Sequence, residues 1–143
     1  MNRPPHLGAR RALQDTGAYF ALVDRREQRY QEANQIFGRL AREPWQLFTT
    51  NFIVAETHAL LLRRLGYRPA LRFIDDIFRS TTTIVRVTPA DVGRAQAIIR
   101  QYSDKLYPYV DCCSFPIMER LSIRYALTFD ENFTQHRFIQ LTA

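Results

Sequence analysis

Short apolar runs alternate along the chain with stretches in which apolar residues stand three and four apart. The short runs, rich in β-branched and aromatic side chains, predict strands, and the stretches with helical spacing predict amphipathic helices. The predicted strands are Ala12-Leu13, 46–50, 81–87, 125–129 and 138–141. The first predicted helix begins at a cap formed by Asp15 or Thr16. The other predicted helices are 27–42, 51–65, 68–79, 89–102 and 111–123.

This alternation of strands and helices is typical of an α/β domain with a central, mainly parallel sheet flanked by helices. The length of 143 residues suits one compact unit. The basic segment 1–10, with Pro4 next to Pro5, is interpreted as a flexible N-terminal lead-in. Residues 11–143 are then expected to form a single domain.

Three aspartates follow predicted strands or open predicted helices. Asp15 closes the first strand, and Asp111 is expected to open the 111–123 helix. Asp130 ends the apolar run 125–129. Because the carboxyl ends of parallel strands share one edge of a sheet, these side chains have a route to a common site. The alternative is that each Asp simply caps a helix or ends a strand, which is the commoner role of a single Asp there.

Glu56 lies within an apolar helix, between Phe52-Ile53-Val54-Ala55 and Ala59-Leu60-Leu61-Leu62. A helix that is apolar nearly all round is buried, so Glu56 is expected to be held away from water. Several buried acids together would repel each other unless a divalent cation neutralised them, and oxygen ligands favour Mg²⁺ or Mn²⁺. Alternatively, Glu56 pairs with Arg63 or Arg64, or faces solvent.

The net charge of +6 favours a polyanionic partner such as RNA. All but one of the 20 basic residues are arginines, whose planar fork suits phosphate oxygens, although a general preference for Arg explains this equally well. Cys112 and Cys113 are expected to be buried, reduced side chains. With no apolar run long enough to span a bilayer and no secretory signal, the expected location is the cytoplasm.

Four segments resemble the motifs of PIN-domain ribonucleases, especially VapC-like toxins of type II toxin–antitoxin systems. The segments occur in the order and at the separations of that family and span the chain from about Leu13 to Leu141. They depart from its pattern at Gln14, Gly17, Val110 and Asn132, the last at a place that is sometimes acidic. The segments are 15–24, Asn51-Phe52-Ile53-Val54-Ala55-Glu56, Asp111-Cys112-Cys113-Ser114-Phe115 and 127–133.

The resemblance implies a three-layer α/β fold and cleavage of RNA that depends on Mg²⁺ or Mn²⁺, with a metal-activated water as nucleophile. Asp15, Glu56 and Asp111 would be the principal catalytic and metal-binding acids, and Asp130 a fourth. Thr16 and Ser114 would support them by hydrogen bonds, unless each only caps its own helix. Surface arginines would bind the RNA backbone, although ordinary solvated helix faces explain them as well: Arg25, Arg26, Arg63, Arg64 and Arg68.

The resemblance further implies a homodimer and a small cognate antitoxin, with the helices 51–65 and 68–79 as a possible surface for either. Ordinary core packing of those helices is an equal explanation. Two other functions remain open. One is a noncatalytic PIN-like module that binds RNA or protein, and the other is a metal-dependent DNA nuclease.

Overall fold

The computed structural model of the protein describes residues 9–143. It contains a single sheet of five strands, in which every neighbouring pair is parallel. The strands are β1 (Arg10–Gln14), β2 (Trp45–Thr50), β3 (Thr83–Val85), β4 (Tyr125–Leu127) and β5 (Ile139–Gln140). The predicted α/β fold with a parallel sheet is therefore confirmed. The predicted lead-in 1–10 falls almost entirely outside the described residues.

Seven helices connect these strands within residues 9–143, and none of them is long and apolar enough to cross a bilayer. Most boundaries lie within three residues of those predicted. Two differences matter for the site: the sixth helix begins before Asp111, and the seventh was not predicted. The helices are α1 (Thr16–Val23), α2 (Tyr30–Arg42), α3 (Asn51–Leu65), α4 (Tyr67–Arg79), α5 (Pro89–Gln101), α6 (Tyr109–Arg120) and α7 (Glu131–Gln135).

Helices cover both faces of the sheet, which gives three layers. Along β1, Leu13 packs into the larger buried cluster, together with residues of α3, α4 and α6. Its neighbour Ala12 packs into a smaller cluster with Ile36 and Leu40 of α2. Successive residues of a strand point to opposite faces, so one short strand serves both clusters.

The strand order β3-β2-β1-β4-β5 determines where the sheet can bind a ligand. The chain moves outward from β1 through β2 to β3, then crosses to the other side of β1 to form β4 and β5. In open parallel sheets, ligands bind at the carboxyl edge where the direction of winding reverses. Here that place lies between the carboxyl ends of β1 and β4, immediately before Asp15 and Thr128.

Candidate active site

A cavity of about 770 Å³ opens at this carboxyl edge, and six of the chain's 14 acidic residues line it. This concentration of negative charge contrasts with the net charge of +6 for the whole chain. The four acids singled out from the sequence are among the six, so the structure brings them to one place. The acidic lining residues are Asp15, Glu27, Glu56, Asp111, Asp130 and Glu131.

Asp15 lies at the bottom of the cavity, where β1 passes into α1. Its Oδ1 accepts a hydrogen bond from the Ala18 backbone N–H at 3.0 Å, which caps α1, and its Oδ2 accepts one from the Thr128 hydroxyl at 2.5 Å. Only 6% of the residue is exposed. Burial raises the pKa of Asp15 to about 7 against the effect of both hydrogen bonds, and the charges of Asp111 and Asp130 add to the rise.

Asp111 lies in the first turn of α6, which begins at Tyr109 after the N-cap Pro108. The prediction that Asp111 opens this helix was therefore wrong by two residues. A carboxylate in the first turn still benefits from the positive end of the helix dipole. Burial raises the pKa of Asp111 to about 6 against the hydrogen bond from Asn132, and the charges of Asp130 and Glu56 contribute further.

Asp130 is exposed and is the N-cap of α7, accepting a hydrogen bond from the Asn132 backbone N–H at 3.1 Å. The side-chain amide of Asn132 adds a second link. Its nitrogen donates to Asp111 at 2.9 Å and to Asp130 at 3.1 Å. The two acids are thus joined by a neutral side chain, and these contacts were not predicted from the sequence. A short helix such as α7, of five residues, has too few turns to show a helical period.

Glu56 is exposed, so the expectation that it is buried was wrong. The reason is the rotation of α3 about its axis. The helix buries Ile53, Val54, Thr57 and Leu61, and this places Ala55 and Glu56 on the opposite side. Glu56 faces the cavity from its mouth, and no ion pair joins it to an arginine within residues 9–143.

Thr16 and Ser114 differ in their contacts. The Thr16 hydroxyl is buried, lines the cavity and has no hydrogen-bond partner among the described residues. The Ser114 hydroxyl donates to the backbone carbonyl of Val110 at 3.0 Å, one turn back along α6. Ser114 therefore makes a local helix contact, whereas the Thr16 hydroxyl makes no hydrogen bond to the described residues.

The five arginines proposed for RNA binding do not all line the same cavity. Arg64 lines the acidic cavity, two turns beyond Glu56 on α3. Arg25 and Arg68 line a second cavity, of about 690 Å³, formed largely by α1 and α4. Arg26 forms an ion pair with Asp24, and Arg63 is exposed on α3.

Arg29 also lines the acidic cavity but was not among the five arginines proposed from the sequence. Its guanidinium lies 5.5 Å from the ring centre of Phe129 and forms a 3.0 Å ion pair with Glu32. Arg29 could not be predicted from the sequence, because its place at the cavity depends on how closely the start of α2 approaches the end of β4. Arg29 and Arg64 are the two arginines in the described lining of the cavity.

The chemistry of the donors fits a hard divalent cation. Neither cysteine nor histidine occurs in the described lining of the cavity, and the acidic side chains offer oxygen atoms only. Burial raises the pKa values of Asp15 and Asp111, and neither acid forms an ion pair with a basic side chain of the described residues. Within residues 9–143, no three such side chains already converge at metal-ligand distances, so a cation would have to draw them together.

The fold and the site together define a class of protein: an α/β domain with an acidic cavity at the switch point of a parallel sheet, as expected of a PIN-domain nuclease. No protein-family model matches the chain. A relative from Mycobacterium tuberculosis, the 23S rRNA-specific endonuclease VapC20, is 27% identical over 127 residues, which cover 89% of this chain and 95% of VapC20.

Solved structures agree with this likeness. The crystal structure of M. tuberculosis VapC20, described as a sarcin-ricin loop cleaving toxin, matches with a TM-score of 0.85 at 26% identity and covers 92% of this chain and 99% of that one. VapBC2 from Rickettsia felis matches with a TM-score of 0.69 at 11% identity, covering 92% of this chain and 97% of that one, which supports the fold alone. The resemblance is thus confirmed: the chain is a homologue of VapC20 and has the PIN-like fold of VapC proteins.

Proposed function

We propose that this protein is a metal-dependent endoribonuclease and the toxin of a toxin–antitoxin pair. The observation that carries the proposal is the gathering of six acidic side chains in one cavity of a basic protein. The relative VapC20 is named as an endonuclease specific for 23S rRNA, so ribosomal RNA is the first substrate to test. Such a substrate would place the action of this protein in the cytoplasm.

Asp15, Asp111, Asp130 and Glu56 are the residues proposed to hold Mg²⁺ or Mn²⁺. The chemistry that such an ion supplies when bound is neutralisation of the carboxylates and of the scissile phosphate, together with activation of a water molecule. Asp15 and Asp111 suit the inner positions because they are buried and anchored by hydrogen bonds. Asp130 and Glu56 are exposed and therefore suit the exchange of protons with solvent.

The arginines at the cavity are suited to positioning the RNA backbone. Arg29 and Arg64 flank the acids, and neither forms an ion pair with any of the four. A guanidinium beside the acids offers phosphate oxygens a bidentate partner and offsets the repulsion between the RNA and the carboxylates. The free Thr16 hydroxyl is a further donor for a phosphate oxygen or for a water molecule.

The cognate antitoxin and a homodimer belong to the same proposal. One of the structural neighbours is a toxin–antitoxin complex from Klebsiella pneumoniae. Several large apolar side chains of α3 and α4 are exposed, as expected if a protein partner covers them: Leu62, Tyr67, Leu71 and Phe78. A noncatalytic RNA-binding module and a DNA nuclease remain the competing functions.

The decisive experiment is cleavage of 23S rRNA and of single- and double-stranded DNA by the purified protein, with Mg²⁺, Mn²⁺ or a chelator present. Endonucleolytic cleavage of RNA that stops on chelation is expected. Asp111→Asn should abolish cleavage, whereas Asp104→Asn, an exposed change outside the cavity lining, should retain it.

Other outcomes separate the competing functions. RNA binding without cleavage under any metal would favour the noncatalytic module, and cleavage of DNA alone would favour the DNA nuclease. Cleavage that survives Asp111→Asn would contradict the proposed chemistry. Growth arrest on induction of the wild type, relieved by Asp111→Asn, would support the toxin role.

A further inference from the structure

The side-chain amide of Asn132 bridges two of the cavity's acids, Asp111 and Asp130. Its single NH₂ group donates one hydrogen bond to Oδ2 of Asp111 at 2.9 Å and one to Oδ2 of Asp130 at 3.1 Å. The backbone N–H of the same residue donates to Oδ1 of Asp130 at 3.1 Å. Both hydrogens of the amide are therefore used, and each acid receives one of them.

We propose that Asn132 is a positioning residue that determines how tightly the acidic cavity holds a divalent cation, by keeping Asp111 and Asp130 side by side. This inference rests on the proposed function, because it concerns the same metal site. It assigns to Asn132 a role that differs from that of the four acids: the residue orients two of the proposed ligands and is not itself a ligand.

The carboxylates of Asp111 and Asp130 repel each other. Asp130 is exposed, and without the side-chain amide of Asn132 only the cap hydrogen bond from the Asn132 backbone N–H would keep its side chain from turning toward water and away from Asp111. The amide offsets this repulsion with hydrogen bonds to charged groups, which are stronger than those between neutral groups. Because the amide contacts Oδ2 of Asp111, Oδ1 of that residue remains available to a cation.

The position of Asn132 makes its side chain well suited to orienting ligands. The residue lies in the first turn of α7, which Asp130 caps, so its backbone is held by the helix. Partners that orient metal ligands in this way commonly change metal affinity by about 10- to 100-fold when they are removed. An aspartate at this position would add a charge but could not donate a hydrogen to either acid.

The test compares Asn132→Ala and Asn132→Asp with the wild type, by calorimetric titration with Mn²⁺ and by thermal unfolding with Mn²⁺ or a chelator. Asn132→Ala should bind Mn²⁺ about 10- to 100-fold more weakly, with a smaller rise in Tm on adding the metal. Asn132→Asp should have the lowest Tm without metal, because it adds a carboxylate and removes the amide donor. Its Tm should rise more on adding Mn²⁺ than that of the wild type, because the ion neutralises the added charge. A purely structural role would move both rises in the same direction.

Gln135→Glu provides the matched control. Gln135 lies on α7 and lines the same cavity, so this change adds one negative charge while leaving the amide bridge intact. The metal-free Tm of this variant should stay closer to that of the wild type than the Tm of Asn132→Asp does. Equal losses in the two variants would show that charge alone is responsible and would overturn the positioning role.

Failure of this inference is distinguishable from failure of the proposed function. If the wild type cleaves RNA and binds Mn²⁺, but Asn132→Ala binds the ion as tightly, only the positioning role of Asn132 is refuted. If Asn132→Ala and Asn132→Asp change the metal-induced rise in Tm in the same direction, the positioning role of Asn132 is refuted as well. If the wild type neither binds Mn²⁺ nor cleaves RNA, the proposed function and this inference fall together.

Discussion

Replacing Asp15 by Asn should change how the stability of the metal-free protein depends on pH. Asp15 is 6% exposed, and its pKa is raised from 3.8 to about 7, first of all by burial. Between these two pH values the unfolded chain has lost the proton of Asp15, whereas the folded chain retains it. Folding therefore binds a proton in this window, and the folded state loses stability as the pH rises from about 4 to about 7.

The size of the effect follows from the displacement of the pKa. The rise from 3.8 to about 7 corresponds to a loss of about 4 kcal/mol, at about 1.4 kcal/mol per pH unit. Asp111, with its pKa raised to about 6, adds a loss of about 3 kcal/mol that is complete by about pH 6. Asn at position 15 keeps an acceptor for the Ala18 N–H but carries no charge, so only the Asp111 contribution remains.

The assay is urea unfolding with a chelator present, at pH 5 and at pH 8. Between these pH values, Asp15→Asn should lose about 3 kcal/mol less free energy of unfolding than the wild type. Glu56→Gln is the matched control, because Glu56 lines the same cavity but is exposed; this variant should follow the wild type. If Asp15→Asn shows the same pH dependence as the wild type, the argument from burial is refuted.

Four further changes test the packing and the cavity. Gln14→Leu should stabilise the protein by about 1–3 kcal/mol in urea unfolding, because the buried Gln14 amide has no hydrogen-bond partner among the described residues; a loss of stability would contradict this. Asp91→Ala should cost about 3 kcal/mol, since buried Asp91 completes the capping box of α5 and accepts two hydrogen bonds from Arg120; an unchanged Tm would refute it. Phe115→Ala should cost about 3–5 kcal/mol, because Phe115 is fully buried among aromatic rings; a cost below about 1 kcal/mol would refute it. Arg64→Ala should weaken RNA binding and reduce the slope of the logarithm of the binding constant against the logarithm of the salt concentration by about 1, the change for one lost phosphate contact. Equal slopes for the variant and the wild type would exclude a phosphate contact.

Local patterns were sufficient to predict most of the elements, because the signals for them are carried by neighbouring residues. Thr88-Pro89-Ala90-Asp91 predicted a helix start, and the structure shows both hydrogen bonds of a capping box there. The helix predicted to run from its cap Asn51 to about Leu65, with Gly66 just past its end, is observed as Asn51–Leu65, although its N-cap is Thr50 and not Asn51. Elements of a few residues were beyond this reasoning: α7 has five residues and left no period to detect.

The ordered motifs and their apolar context indicated the likeness to VapC proteins, which the comparisons confirm, and named the four acids, whose roles in metal binding and catalysis stay predictions. That these acids share a cavity depended on the strand order, which places the ends of β1 and β4 side by side. Sequence separation conceals such a meeting: Asp15 and its hydrogen-bond donor Thr128 are 113 positions apart.

The tertiary structure also decided which side of each helix meets water, and here an argument from composition failed. Glu56 was expected to be buried because its neighbours are apolar, yet packing of Ile53, Val54 and Leu61 against the core turns Glu56 outward to the cavity mouth. The packing of α2, α3 and α7 at the edge of the sheet likewise brought Arg29 and Arg64 to the acids and placed the Asn132 amide between two of them. The physical reason is that burial and electrostatic contacts depend on how elements pack together, whereas propensity and capping depend on residues adjacent in the chain.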